Sequence, residues 1–256
     1  MFSYAGLVDM GVYEPHNDDR ALLGTQLITE GCTAGQTDRP YFLAAVCDGV
    51  GGMKQGGRAA KLTVQALVPC CRAGLSADEL REDIEQANTG LRDLQDEEGM
   101  PDGLRTVLAG LYADGTRLLV FNAGDSRVYR LRCGYVRQLS KDHSLVQDML
   151  DLGEITPEQA KTHPQKNIVN KCLGNADIVN PRIKEWEDDL LAGDLLMICS
   201  DGICDVLAKE DIAGILAPHS KDGDLSEACR ALRDAAVQNG SKDNMTVLLV
   251  RKEETA

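Results

Sequence analysis

Aspartates recur in this sequence where apolar runs give way to turns. Asn17-Asp18-Asp19 precedes one run, Asp48-Gly49-Val50-Gly51-Gly52 follows another, and Gly124-Asp125-Ser126 joins two. Ser200-Asp201-Gly202 follows residues 195–199, and Lys242-Asp243-Asn244 precedes the last run. A single Asp-Gly pair is an ordinary hairpin turn. Five carboxylate stations at strand ends, several beside glycines that let backbone approach closely, instead suit a hard, oxygen-ligated cation. No cluster of histidines or thiols accompanies them, so the chemistry points to Mg²⁺ or Mn²⁺ rather than zinc. His16, His143, His163 and His219 share no ligand spacing, and no EF-hand loop occurs. The glycine-rich stretch 51–57 has Lys54 in the wrong place for a P-loop, with no Ser or Thr after it.

The elements that must position these acids are those of a folded chain. With 256 residues, 43% of them hydrophobic and 27% charged, the chain can bury a substantial core. Its 27 basic and 41 acidic residues leave a net charge of −14, which repels phosphate backbones and anionic lipid, so no nucleic acid or membrane partner is expected. The N-terminus lacks an export signal, and the longest apolar run, residues 41–47, is too short to span a bilayer. The nine cysteines include an adjacent pair, Cys70 and Cys71, and no Cys-x-x-Cys spacing. Reduced thiols in a cytoplasmic protein are therefore expected.

Strands are predicted over residues 2–8, 21–28 and 41–47, the last buried on both faces. A helix follows over 57–68, ended by Pro69, and Ser76 with Glu79 makes a capping box for a second. In that second helix Leu80, Ile84, Ala87, Leu91 and Leu94 form one apolar stripe. Residues 106–113, 116–122, 126–131 and 135–139 read as an antiparallel meander with turns at Asp114-Gly115 and Cys133-Gly134. Residues 141–181 are polar, with short helices near 144–152 and from Thr156, and read as a flap. A strand at 195–199, a helix at 225–237 and a strand at 245–250 complete an α+β layered domain of antiparallel sheets covered by helices.

Taken in order, these motifs resemble the metal-dependent Ser/Thr protein phosphatases of the PPM (type 2C) family, in the compact bacterial form. The residues that carry the resemblance are Asp19, Asp48-Gly49-Val50-Gly51-Gly52, Ala123-Gly124-Asp125-Ser126-Arg127, Lys141-Asp142-His143-Ser144, Cys199-Ser200-Asp201-Gly202 and Lys242-Asp243-Asn244-Met245-Thr246-Val247. The resemblance implies a single domain over residues 1–256, folded as a four-layer α-β-β-α sandwich, with the flap at about 141–181 and two Mn²⁺ or Mg²⁺ ions at one end. It implies that Asp48 bridges the metals and that Gly49 offers its carbonyl. Asp201 and Asp243 complete the other side, Asp19 holds metal-bound water, and Asp18 takes the place of a family glutamate that binds the metal centre. Asp125 belongs to a third, weaker metal site. Water acidified between two cations about 4 Å apart can attack phosphorus in line, with no covalent intermediate. Asp48 and Asp201 are the expected catalytic residues. The implied substrates are phosphoserine and phosphothreonine proteins, targets of a bacterial Ser/Thr kinase, and a monomer is expected.

The chain departs from the family pattern in several places. Glu14 stands where an arginine usually binds the substrate phosphate, with Arg20 and Arg58 as candidate replacements. Val50 stands where many animal members carry a histidine proposed as general acid. Leu104-Arg105-Thr106-Val107 replaces a Gly-Thr-Thr core motif, and Gly57 replaces a common glutamate. Glu14 thereby raises a second reading, a pseudophosphatase-like regulatory binding module with weak turnover.

Overall fold

The computed structural model describes residues 1–50, 55–100 and 103–254. Two six-stranded sheets, antiparallel throughout, form its centre. The first contains β1 (Phe2–Asp9), β4 (Gly31–Thr37), β8 (Arg127–Arg132), β9 (Tyr135–Gln138), β11 (Leu195–Cys199) and β12 (Met245–Lys252) in the order β4-β1-β12-β11-β8-β9. The second contains β2 (Asp19–Leu23), β3 (Gln26–Ile28), β5 (Tyr41–Gly49), β6 (Thr106–Asp114), β7 (Arg117–Ala123) and β10 (Arg182–Glu185) in the order β10-β7-β6-β5-β2-β3.

Three cores hold the layers together. Phe2, Val8, Val46, Leu111, Ile198 and Leu248 pack between the sheets. On the outer face of the second sheet, Leu43, Tyr112 and Phe121 meet α1 (Gly56–Leu67) and α2 (Ala77–Glu98) through Val64, Leu80 and Ile84. On the outer face of the first sheet, Leu7, Met197 and Leu249 meet α5 (Asp201–Cys204), α6 (Lys209–Leu216) and α7 (Leu225–Gln238). The result is the four-layer α-β-β-α sandwich that the resemblance implies. Strand β5 lies between β2 and β6 with a core on each face, which is why its sequence is apolar from Tyr41 to Cys47. The capping box at Ser76 starts α2, and Gly99, at φ 64°, ends it.

Several local expectations shift. The run 21–28 is two strands, because Gly24 at φ 62° lets the chain reverse and pair Leu23 with Gln26. The turn expected at Asp114-Gly115 moves one residue, with Asp114 and Arg117 closing it around Gly115-Thr116. Cys133 and Gly134, at φ 51° and 81°, keep their predicted turn. The predicted meander is divided, since β6 and β7 belong to one sheet and β8 and β9 to the other. The chain changes sheet at Gly124, whose φ is 129° and where a Cβ would lie 2.3 Å from Cβ of Val107, so the crossing requires glycine. Edge strands β4 and β10 and helices α5 and α6 escape the pattern reading. The edge strands are short and partly exposed, so they lack a clear apolar alternation.

Residues 139–181 carry α3 (Leu145–Asp151) and α4 (Pro157–Lys161), the two short helices expected there; Thr156 caps α4 as expected, and Ser144 caps α3. Isolated bridges tie this segment to itself at Ser144 and Val169, and to β6 at Thr106 and Leu173.

Candidate metal centre

Strand register gathers the aspartates. Asp19, at the start of β2, is the cross-strand partner of Asp48, near the end of β5. In the other sheet Cys199 ends β11 opposite both Arg127 and Val247, so Ser200-Asp201, the turn before β8 and the turn before β12 share one end. Leu108 pairs with Ala123, which brings the Gly124-Asp125 turn to that end as well. Alternation of strand direction thus carries five distant stations to one rim of the sandwich.

Glycines allow the close approaches. A Cβ on Gly49 would lie 2.2 Å from the carbonyl carbon of Gly56, and one on Gly202 would lie 2.0 Å from the carbonyl oxygen of Asn244. The glycines at 51 and 52, with Met53 and Lys54, lie outside the described residues.

Polar residues hold the acids in place. Ser200 Oγ donates to Asp19 Oδ2 at 2.8 Å and accepts from the Thr246 N–H at 3.0 Å. Asn244 Oδ1 accepts the Asp18 N–H at 2.7 Å, while its Nδ2 donates to the carbonyls of Met10 and His16, pinning the segment before Asp18. Thr106 Oγ1 donates to the Asp48 carbonyl at 2.8 Å. The motif 141–144 clasps the Asp125 turn: the His143 N–H donates to the Gly124 carbonyl, and His143 Nδ1 accepts the Gly124 N–H at 3.2 Å. Beside it, Asp142 is paired with Arg127 at 2.7 Å. These positioning roles of Ser200, Asn244, Thr106 and His143 are not distinguishable in the sequence, where each is a polar residue next to an apolar run.

The electrostatics are those of an uncompensated acid cluster. Burial pushes Asp19 up to about 7, against the nearby Thr246 hydroxyl and the hydrogen bond from Ser200 and with Asp243 adding repulsion. Burial raises Asp48 well above the usual range, and Asp19, Asp201, Asp125 and Asp243 each raise it further. Asp201 is raised in the same way by burial, then by Asp125, Asp243, Asp205 and Asp19. Asp125 rises to about 6 through burial and the nearby Asp142 and Asp205. Asp48 and Asp201 respond to the charges of Asp19, Asp125 and Asp243, which requires these acids to lie near one another. Asp19 Oδ1 and Asp201 Oδ1 are buried without a hydrogen-bond partner. Buried anionic oxygens left in this condition fit a bound cation.

Among the described residues, no three His, Cys, Asp or Glu side chains already surround a single point. Mg²⁺ and Mn²⁺ tolerate that, because they keep several waters and need few carboxylates. The remaining predicted residues have other partners. Asp18 Oδ1 accepts the Gly57 N–H at 2.9 Å, and a Cβ on Gly57 would lie 2.7 Å from that oxygen, so Gly57 makes room for Asp18 at the start of α1. Arg20 donates to the carbonyls of Asn17 and Asp19. Arg58 holds Glu98 with two hydrogen bonds, at 2.7 and 2.6 Å. Glu14 borders a cavity of about 290 Å³ that Asp201, Asp243, Lys166 and Lys242 also line.

Comparison with known proteins agrees with this arrangement. The family model for Protein phosphatase 2C matches residues 31–240. The serine/threonine phosphatase stp of Listeria monocytogenes is 31% identical over 254 residues, which cover 96% of this chain and 94% of that protein. The serine/threonine protein phosphatase PstP of Mycobacterium tuberculosis is 30% identical over 96% of this chain and 44% of its own length. The crystal structure of PstP/Ppp from M. tuberculosis superimposes with a TM-score of 0.84 at 28% identity, covering 99% of this chain and 100% of that one. A structure of the PstP catalytic domain in complex with two manganese ions gives a TM-score of 0.81 at 27% identity, covering 99% of this chain and 100% of that one. With a family match across most of its length and named phosphatases as full-length relatives, the chain belongs to the protein phosphatase 2C (PPM) family and is a metal-dependent protein serine/threonine phosphatase.

Proposed function

We propose that Asp48, the Gly49 carbonyl, Asp201 and Asp243 hold two Mn²⁺ or Mg²⁺ ions, with Asp18, just before β2 and anchored to the Gly57 N–H of α1, binding at the edge of the centre. The observation that carries this assignment is the convergence of Asp19, Asp48, Asp125, Asp201 and Asp243 on one rim through strand register, with two buried carboxylate oxygens left without partners. Asp125 is proposed as the ligand of a third, weaker ion. When bound, the cations acidify water and offset the charge that spreads over the phosphoryl oxygens during hydrolysis.

The chain's own residues do the rest. Asp19, steadied by Ser200, keeps one oxygen available to orient water or take its proton. Asp48 and Asp201 are proposed as the catalytic carboxylates, set by the end of β5 and the start of α5. Lys242 borders the same cleft and supplies positive charge where Glu14 supplies none, while Lys166 there is paired with Asp205 at 2.7 Å. Val50 offers no proton, so the leaving serine or threonine oxygen takes one from water.

The proposed substrates are proteins phosphorylated by a bacterial Ser/Thr kinase, met in the cytoplasm by a monomeric enzyme. The unit proposed is one domain over residues 1–256, with its flap at about 141–181. No helix among the described residues is long and apolar enough to cross a membrane. The test is hydrolysis of a phosphothreonine peptide across metals, with a phosphotyrosine peptide as control. Asp48→Asn and Asp201→Asn are expected to abolish Mn²⁺-dependent turnover while the chain stays folded. Unchanged turnover in both would remove the assignment.

A further inference from the structure

On a chain of net charge −14, one pocket is basic. A cavity of about 440 Å³ beside edge strand β10 is lined by Arg81, Lys171, Arg182, Lys184 and His143, and no carboxylate lines it. The nearby acids are engaged elsewhere. Glu85 accepts the N–H groups of Val179 and Asn180, Asp148 accepts from Asn170, and Asp151 is paired with Lys141.

The cations are held by neutral groups, which leaves their charge uncancelled. Arg81 Nη1 donates to Asn180 Oδ1 at 3.1 Å and to the Pro181 carbonyl at 2.8 Å, and Lys171 Nζ donates to the Asn180 carbonyl at 2.8 Å. Asn180 serves both from a left-handed conformation, at φ 47°. Lys184 Nζ lies 4.2 Å from the centre of the Trp186 ring. Arg182 is exposed, and its guanidinium has no hydrogen bond or ion pair among the described residues. Two groups register the resulting field. His143 is held down to about 4 by burial and by Lys171, Arg182 and Lys141, with Asp148 opposing. Lys171 lies below its usual value through burial and the Arg81 charge, with Glu85 opposing.

We propose that this pocket is a second anion site, separate from the aspartate cluster, that takes a phosphomonoester dianion or inorganic phosphate. Several guanidinium and ammonium donors converging on one cavity suit an oxyanion with three or more acceptor atoms. Its position gives the site a use. Arg182 pairs with Asn122, Asn122 with Ala109 and Ala109 with Val46, two residues before Asp48. Three strand spacings separate the rows, about 14 Å, which four or five residues of extended peptide span. A second phosphoryl group on a substrate and free phosphate share the same recognition chemistry.

Trp186 is the only tryptophan, and its emission reports on the two cations over its ring, Lys184 at 4.2 Å and Arg137 at 4.7 Å, of which only Lys184 lines the pocket. The Mg²⁺-loaded protein is titrated with inorganic phosphate at constant ionic strength, and p-nitrophenyl phosphate turnover is followed in the same preparations. A saturable change in emission is expected in the wild type. Its midpoint should rise at least tenfold in Arg182→Glu and Lys171→Ala and less than threefold in Arg182→Lys, with turnover kept within twofold. A peptide carrying a second phosphoserine four or five residues from the first separates the sources. A KM raised in Arg182→Glu for that peptide alone assigns the site to substrate, and KM values unchanged beside the lost emission response assign it to free phosphate. No saturable change, an equal response to chloride, or the same midpoint in Arg182→Glu overturns the proposal. The emission isotherm needs no catalysis, so its failure is distinguishable from failure of the metal-centre assignment.

Discussion

Ser200 Oγ donates a 2.8 Å hydrogen bond to Asp19 Oδ2, joining the two sheets at the catalytic rim across 181 residues of chain. Both residues are buried, and Ser200 also accepts the Thr246 N–H. Ser200→Ala leaves a buried carboxylate oxygen and a backbone donor without partners. Hydrogen bonds to charged groups contribute about 1.5–3 kcal/mol, so the denaturant midpoint should fall by that equivalent. Mn²⁺ affinity measured by calorimetry should fall with it.

Asn244 ties Met10, His16 and Asp18 together. Asn244→Ala is expected to leave the sandwich folded by circular dichroism while weakening metal binding about 10–100-fold, the range for loss of groups that orient ligands. Undiminished affinity would show that this segment holds its position without Asn244.

Gly202 tolerates no side chain, because an added Cβ would meet the Asn244 carbonyl oxygen at 2.0 Å. Gly202→Ala should destabilise the protein by about 1–3 kcal/mol or more and displace Asp201. Gly134→Ala is the contrast. It has open space around it, and its only strain is its φ of 81°, so turnover should survive there.

His143 must be neutral at Nδ1 to accept the Gly124 N–H, and its value is held near 4 instead of 6.5. The fold therefore binds fewer protons at this site than the unfolded chain does between those values. The stabilisation is complete above about pH 6.5 and is lost as pH falls toward and through 4. The melting temperature of the wild type should fall more steeply over that interval than that of His143→Gln, whose amide oxygen can accept the same N–H without titrating.

Glu14 borders the cleft beside Lys166 and Lys242. Glu14→Arg should lower KM for a phosphothreonine peptide several-fold with kcat little changed, because a repelling charge becomes an attracting one. Arg58→Ala should leave KM nearly unaltered, since Arg58 is already occupied by Glu98. A large rise in KM there would place Arg58 at the phosphate.

Much of the fold was legible before any coordinates, and for local reasons. The capping box at Ser76, the cap at Thr156 and the apolar run of β5 from Tyr41 to Cys47 are short-range signals. The edge strands were not, because β4 and β10 bury too little to show alternation. The split of the meander between sheets was not, because it depends on Gly124 meeting Val107.

By itself the sequence determined the kind of chemistry: acids at turns beside apolar strands, with glycines next to them and no soft ligands, dictate hard-cation chemistry through composition and spacing alone. Only the tertiary structure decided which acids share a field and which neutral side chains hold them. Those depend on cross-strand register, such as Asp19 opposite Asp48, and on contacts like Ser200 to Asp19. The basic pocket at β10 belongs to the same class, because Arg81 and Arg182 are far apart in sequence and their charges sum only where the chain folds them together.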